Sequence, residues 1–491
     1  MVGRQPGCGT IFKACETSPA VRGTDWRLLF DGDSVISISY DELECEANVE
    51  HPLRSFYVGY SAQLWGSDRT PFTPYTASIP VVSDVPVLDL FRKHNVDIPM
   101  FRVAGAREFY RLSPCDLSVG VLTAGGNAPG LNAVVDSIVK RHSLLATKAG
   151  AARENGQVRG LTIWGYRNGY VGLVSDDKEQ LAFARTDPLS LTPGSMLGIK
   201  RGQKSDGWVT RMADALERDA LDILYVIGGD GTITAADLLG EEASARGITG
   251  RQGRPVRVVA APKTMDNDVH FTDVTFGFRT TVENAAEVIR RIHLEAQTCG
   301  RVGIVELFGA GSGFVALHAS YASGEVDYVL LPEMMTESNA GSELEKAVRR
   351  LADRSLKRGH ALLVVAEGAT TRYAGSEFRH GNRASKGSEF DVLLHDIMDG
   401  LQSCLGSRPD MVISQPQHLI RSTAPCTADI DLCKETGKLM VDTALAGLSR
   451  CVVSLWHGDF VLVPMGLAAQ PKRVDVAAYY YLSMVEKYWL D

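Results

Sequence analysis

No run of apolar residues in this chain approaches the roughly 18–20 that a membrane-spanning helix requires. The opening stretch MVGRQPGCGTIFKACE has no continuous apolar segment of the kind that marks a secretory leader, so none is expected. Basic residues are not in excess. The 51 Lys and Arg face 59 Asp and Glu, a net charge of -8, which argues against nucleic acid or an anionic membrane as the main partner. An anionic substrate must then be held by a local pocket, because the field of the whole chain repels it. The nine cysteines form no CxxC pair, which removes the usual spacing of a zinc site. A sparse, odd set of thiols suits a reducing compartment, and a cytoplasmic protein is expected.

Common nucleotide-binding signatures are missing too. No GxxxxGK[ST] is present, and HGNRASKGS (380–388) has the wrong spacing and follows no strand. No GxGxxG opens a strand–helix unit with an acidic residue about twenty positions on, which weakens a dehydrogenase reading. The protein-kinase set of motifs is also absent.

What remains is a pattern of alternating strands and helices. Beyond residue 116, short apolar runs fit strands buried on both faces: Leu117–Leu122, Ile223–Ile227, Val256–Ala261, Val302–Leu307, Tyr328–Leu331 and Leu362–Ala366. Between them, Val282–Ala296 carries the helical period, and later helices are expected at Cys433–Ala446 and Val474–Lys487. This predicts an α/β chain with parallel sheets, and 491 residues are too many for one core, so two lobes are expected. The first hundred residues hold no recognisable chemistry. Val81–Val82 and Val87–Leu88 suggest short strands, with Pro86 limiting the second to an edge or a strand start. Packing or oligomerisation is the expected role of this extension.

In such sheets ligands gather at the C-terminal ends of the strands. Three loops at those places carry the informative residues. The first, Thr123–Gly130 (TAGGNAPG), precedes a helix expected near Leu131; its glycines let the backbone approach a ligand, and the helix N-terminus favours an anion. The second, Gly228–Thr232 (GGDGT), adds the carboxylate of Asp230. A carboxylate beside a phosphate cradle is repulsive unless a Mg²⁺ bridges them. Thr232 can cap the following helix or donate to a phosphate. The third, Pro262–Asp268 (PKTMDND), sets Asp266 and Asp268 two residues apart beside Lys263. One Asp could accept a proton from an attacking hydroxyl while the other holds metal or orients the first. Asx-turns with solvated carboxylates are the plainer alternative for such a triplet.

Together these segments resemble the phosphofructokinase family. GVLTAGGNAPGLNAVV (120–135), YVIGGDGTITAA (225–236), PKTMDND (262–268), GFRTTVENA (277–285) and RVGIVELFGAGSGFVALHAS (301–320) stand in that family's order and spacing. The resemblance covers roughly residues 105–465 and points to the long ATP-dependent branch. It implies two doubly wound, mainly parallel-sheet lobes. One would span 106–276, with 422–458 possibly returning to it, and bind the nucleotide. The other would span 277–421, with 459–491, and bind the sugar phosphate. Residues 1–105 would be an N-terminal extension.

The resemblance also implies roles. Asp266 would be the base that deprotonates the 1-hydroxyl of fructose 6-phosphate, with Lys263 and Asp268 assisting catalysis. Asp230 would hold Mg²⁺. Gly126, Tyr170, Arg201, Gly229, Gly231 and Thr232 would join Asp230 at the ATP site. Thr264, Phe308, Gly309, Glu367, His418 and Arg421 would bind the sugar phosphate with Asp266 and Asp268. Arg301 would reach the 6-phosphate in a neighbouring subunit, which implies a homo-oligomer, a dimer or tetramer. No nucleic acid or membrane partner is expected.

Two positions bear on the phosphoryl donor. Pyrophosphate-dependent relatives typically carry Asp where this chain has Gly231, and that side chain would collide with the α-phosphate of a nucleotide. Lys263 is shared with pyrophosphate users but also with the long ATP branch. The steric argument favours ATP. One departure stands out: the family's Met-Gly-Arg is Phe308-Gly309-Ala310 here, so an arginine near the transferred group is missing, and Lys263 could compensate. The alternatives are a pyrophosphate-dependent enzyme, a non-catalytic regulatory homologue that binds sugar phosphate, and a kinase for another ketose phosphate.

Overall fold

The apolar runs become the strands of two sheets. The computed structural model describes residue 13 and residues 26–31, 34–54, 72–83, 85–154, 157–200, 206–375, 388–477 and 479–485. Apart from two-residue strands in small two-stranded ladders, the chain contributes β1 (Ser78–Pro80), β2 (Met100–Val103), β3 (Leu117–Thr123), β4 (Leu161–Tyr166), β5 (Lys178–Gln180), β6 (Ile223–Gly228) and β7 (Arg257–Pro262) to one large sheet. It then builds a separate four-stranded sheet from β8 (Val302–Leu307), β9 (Tyr328–Leu330), β10 (Ala361–Ala366) and β11 (Met411–Ser414). Finally β12 (Cys451–Trp456) and β13 (Asp459–Pro464) return to the first sheet.

The large sheet has nine strands in the order β5-β4-β3-β6-β7-β12-β13-β2-β1. Its central strands β4, β3, β6, β7 and β12 are parallel, and the strands outside them pair antiparallel. The smaller sheet, β9-β10-β8-β11, is parallel throughout. Strands β3, β6 and β7 are buried at every position, which is why they read as continuous apolar runs and not as alternating ones.

Alternation along each strand divides the core between the two faces. Ile223, Tyr225 and Ile227 of β6 pack with Val119 and Val121 on one side, while Leu224 and Val226 face the other. The helices α1 (Val85–Lys93), α2 (Leu131–Lys148), α3 (Tyr170–Ser175), α4 (Trp208–Arg218) and α5 (Asp230–Ala245) precede the second sheet. After them come α6 (Phe278–Cys299), α7 (Phe314–Ser323), α8 (Glu367–Ala374), α9 (Thr427–Leu445) and α10 (Tyr479–Val485). Val134 and Ile138 of α2 join Met440 of α9 over the first face; Met212 of α4 and Leu239 of α5 cover the second.

Three expectations need correction. Val87–Leu88 lies in helix α1 and not in a strand; Pro86 is its second residue, where the missing N–H has no intrahelical partner to lose. Within the N-terminal extension, β1 and β2 pack as the last strands at one edge of the large sheet. Asp459–Pro464, expected with the second lobe, pairs with β12 as an antiparallel hairpin in the first. The helix expected from Val474 begins only at Tyr479. The Val474 N–H is taken by Glu333 Oε1 at 2.8 Å, and the Ala477 N–H by Asp475 Oδ1 at 3.0 Å. Beyond the hairpin, Val474, Tyr481 and Val485 pack on the core of the smaller sheet.

Candidate active site

The three strand-end loops meet because β3, β6 and β7 are neighbours in one parallel sheet, so their C-terminal ends share an edge. The cleft they line measures about 970 Å³. Gly125 marks the closest approach. Its φ is +90°, and a Cβ placed on it would stand 3.1 Å from Lys263 Nζ and 3.4 Å from Thr232 Oγ1, atoms of the other two loops. A side chain there would strain the turn and push the loops apart.

Helix α5 begins at Asp230, so the GGDGT turn is itself the helix N-terminus. Asp230 Oδ1 accepts the N–H of Gly231 at 2.6 Å. Tyr170 supports this turn from behind: its hydroxyl donates to the Thr232 carbonyl at 2.9 Å, and burial pushes its pKa well up. The N-terminal end of the α5 dipole therefore lies at the cleft, an arrangement suited to phosphate oxygens.

The loop after β7 is held more rigidly. The Asp266 N–H donates to Thr264 Oγ1 at 3.1 Å, and Thr275 Oγ1 donates to the Thr264 carbonyl at 2.6 Å. Asn267 adopts the left-handed conformation (φ +54°), which asparagine tolerates, and its Oδ1 accepts the Thr275 N–H at 2.9 Å. This leaves Asp266 and Asp268 side by side in the cleft. Each keeps a buried carboxylate oxygen, Oδ1, without a hydrogen-bond partner. Burial, then the charges of Asp268 and Glu367, push the Asp266 carboxyl up to about 7, against the pull of Arg421 and Lys263. Burial also raises Asp268, partly offset by a hydrogen bond from Thr264. A carboxyl poised near neutrality can accept a proton from a hydroxyl at physiological pH.

Lys263 is almost fully buried and donates its ammonium to the Gly126 carbonyl, tying the third loop to the first. Arg421 also reaches the first loop, its Nη1 3.6 Å from where a Cβ on Gly126 would stand; its guanidinium lies 4.5 Å from the centre of the Phe308 ring, and its Nη2 donates to His418 Nδ1 at 2.9 Å. Gly309 (φ +135°) accepts the N–H of Gly368 at 3.0 Å, which sets Glu367, the first residue of α8, beside the acid pair.

Gly126, Tyr170, Gly229, Asp230, Gly231, Thr232, Lys263, Thr264, Asp266, Asp268 and Arg421 thus come together in one cleft. Phe308, Gly309, Glu367 and His418 border it through the contacts above. Arg301 does not join them: it precedes β8, a six-residue strand about 20 Å long, and pairs with Glu295 at 2.8 Å at the far end. Arg201 lies outside the described residues. Sequence reasoning missed Ser312, whose hydroxyl donates to the Asp266 carbonyl at 3.1 Å. It also missed Val171, Trp208 and Arg211, which line the outer cleft. Trp208 and Arg211, one helical turn apart on α4, were the available signal.

Glycine-rich turns at helix N-termini, set with two buried carboxylates of which Asp266 is poised near neutrality, in one cleft at the ends of parallel strands, are the working parts of a phosphotransferase. A family model described as Phosphofructokinase matches residues 118–444, and the chain belongs to the phosphofructokinase family. An ATP-dependent 6-phosphofructokinase of Trypanosoma brucei brucei is 31% identical over 426 residues, covering 84% of this chain and 80% of that protein. The ATP-dependent 6-phosphofructokinase 5, chloroplastic, of Arabidopsis thaliana is 31% identical over 494 residues, covering 94% and 86%. Among solved structures, the pyrophosphate-dependent phosphofructokinase of Marinobacter aquaeolei matches with a TM-score of 0.59 at 17% identity, over 76% of this chain and 91% of that one. The phosphofructokinase of Saccharomyces cerevisiae matches with a TM-score of 0.55 at 23% identity, over 72% of this chain but 45% of that chain, so this protein spans less than half its length. At these identities the two structures bear on the fold alone.

Proposed function

We propose that this chain is an ATP-dependent 6-phosphofructokinase, moving the terminal phosphoryl group of ATP to the 1-hydroxyl of fructose 6-phosphate and releasing ADP and fructose 1,6-bisphosphate. One observation carries the reading: Asp266 places an unpartnered, buried carboxylate oxygen in the cleft that also holds the glycine cradle. Asp266 takes the proton of the attacking hydroxyl as the oxygen–phosphorus bond forms, and ADP leaves with the electron pair of the broken bond. Lys263 and Arg421 face the developing charge, while the Gly126 and Gly229–Thr232 backbones hold the donor.

Three further assignments rest on the same cleft. Nothing lies within 4 Å of a Cβ placed on Gly231, so the cleft stays open where an Asp would intrude, which supports a nucleotide over pyrophosphate. Both relatives described above carry ATP-dependent names. Val171, Trp208 and Arg211 supply an apolar wall and a cation for the rest of the nucleotide. Mg²⁺ fits beside Asp230, with Asp268 contributing its unpartnered oxygen. Among the described residues no group of three His, Cys, Asp or Glu side chains could hold a metal, so phosphate oxygens would complete its shell. When bound, the ion neutralises phosphate charge.

The lobe built on the large sheet takes the nucleotide and the smaller sheet's lobe the sugar phosphate. Phe308, Gly309, Glu367, His418 and Arg421 line the acceptor's side with Thr264. Arg301, remote from its own cleft, serves a neighbouring subunit in a homo-oligomer. Seven cysteines are free among the described residues, and no described helix is long and apolar enough to cross a membrane; a reducing, cytoplasmic setting agrees with both.

The test follows fructose 1,6-bisphosphate formation with ATP and pyrophosphate in parallel, beside Asp266→Asn. Turnover with ATP that collapses in the variant supports base, donor and reaction together. Turnover with pyrophosphate alone overturns the argument from Gly231. Binding of sugar phosphate without turnover makes the chain a regulatory homologue.

A further inference from the structure

The turn that carries the acid pair also walls a second cavity. Asp266 and Asp268 line the first cleft, whereas Asn267 between them lines a separate chamber of about 900 Å³ that shares no lining residue with it. The chamber lies between the start of α6, helix α7, the end of β12 and Lys472.

Its chemistry is that of an anion site with an aromatic floor. Basic groups outnumber acids among its lining residues: Arg279, Arg290, His318, His457 and Lys472 stand with Asp273 and Glu283, and Arg290 is already paired with Glu287 at 3.3 Å. Lys472 is 4% exposed, and its ammonium sits 5.1 Å from the centre of the Phe314 ring while donating to the Thr272 carbonyl at 2.6 Å. Arg279 stands exposed in the first turn of the 22-residue helix α6, where the helix dipole also favours an anion. His318 meets the ring of Phe278 edge-on at 5.1 Å, and Trp456 closes another wall.

We propose that this cavity binds a small aromatic monophosphate, its phosphate toward Arg279, His318 and Lys472 and its ring against Phe278, Phe314 and Trp456, and that binding is coupled to the acid pair. Lys472 provides the link. Its side chain lines the second chamber, and its main-chain N–H donates to the Asp268 carbonyl at 3.0 Å. Asn267 provides another, since its Nδ2 donates to the Asp273 carbonyl at 3.3 Å while its neighbours face the first cleft. A ligand that shifts Lys472 or Asp273 therefore moves the Asp266–Asp268 turn.

Titration calorimetry of the full chain with phenyl phosphate tests the binding. One site per chain is expected, weakened about tenfold or more by Arg279→Ala or His318→Ala, each of which removes a charged or polar contact to the anion. Arg421→Ala, in the first cleft, should leave it unchanged. Binding lost in Arg421→Ala but kept in Arg279→Ala puts the ligand in the first cleft and overturns the proposal, as does no binding at millimolar concentration. Equal affinity for inorganic phosphate overturns the aromatic requirement. The coupling arm rests on the proposed acceptor: saturating fructose 6-phosphate should change the phenyl phosphate Kd about fivefold or more, and Arg279→Ala should abolish the reciprocal effect. A chain that binds phenyl phosphate through Arg279 but ignores fructose 6-phosphate defeats the proposed reaction and the coupling while leaving the site; one that binds both independently defeats the coupling alone.

Discussion

The Ser312 hydroxyl donates to the main-chain carbonyl of Asp266 at 3.1 Å. Ser312 follows strand β8 of the smaller sheet and Asp266 follows β7 of the larger, so the proposed base is held by both lobes. From its own lobe, Thr264 and Thr275 fix the turn. A displacement between the lobes is therefore felt at Asp266 directly.

Replacing Ser312 by Ala removes this tie and leaves a carbonyl in a buried setting short of a partner. The lost hydrogen bond is worth about 1 kcal/mol, so kcat should fall roughly fivefold, with circular dichroism unchanged. An unchanged kcat would mean the threonines alone position the base.

Asp266→Asn should lower kcat by about 10²–10⁴ while nucleotide binding survives. In the wild type the acid limb of kcat/KM should lie well above the ordinary carboxylate value, because the base must be deprotonated and burial holds its pKa up to about 7. The stability effect has the opposite sign. A carboxyl raised above its unfolded pKa of about 3.9 contributes stability fully below that value, and this is lost as pH rises through about 7. At pH 8 the Asn variant should melt a few degrees above the wild type, checked by calorimetry. A variant that melts lower would place Asp266 in a favourable ion pair.

Gly231→Asp places a carboxylate in the open space of the cleft beside Asp230. Like charges brought against a nucleotide's phosphates cost several kcal/mol, so kcat/KM for ATP should fall about a hundredfold or more. Undiminished use of ATP would show that the α-phosphate passes elsewhere.

Ala310 lines the cleft where the family's arginine would stand, and Lys263 reaches the same space. Lys263→Ala should reduce kcat about 10²-fold, and adding Ala310→Arg should restore at least one order of magnitude. No recovery would assign Lys263 to holding the Gly126 carbonyl instead.

Away from the cleft, Arg141 of α2 pairs with Asp442 of α9 at 2.9 Å, both nearly buried, and the Tyr110 hydroxyl donates to Asp442 at 2.7 Å. Burial and the charge of Arg141 push His51, packed beside them, down to about 4. Asp442→Ala strands the guanidinium and should cost about 3–5 kcal/mol, read as a lower urea midpoint. A small loss would mean water reaches Arg141.

Much of the fold was legible because buried parallel strands must be apolar at every position and the turns after them must be glycine-rich. The strands at 117–123, 223–228, 257–262 and 302–307, and the loops GGDGT and PKTMDND, follow from local chemistry. Local chemistry could not show that Val87–Leu88 is helical, since proline suits a helix's first turn as well as a strand's edge. Nor could it show that residues 78–103 and 459–464 join the large sheet, because the pairings that attach these two hairpins to it, β2 with β13 and β12 with β7, bring together segments far apart in the sequence. The residue types of the acid pair were set by the sequence alone. The raised pKa of Asp266, its tie to Ser312 and the two chambers on either side of Asn267 came only from tertiary structure, because desolvation and close contact exist only once distant segments are packed together.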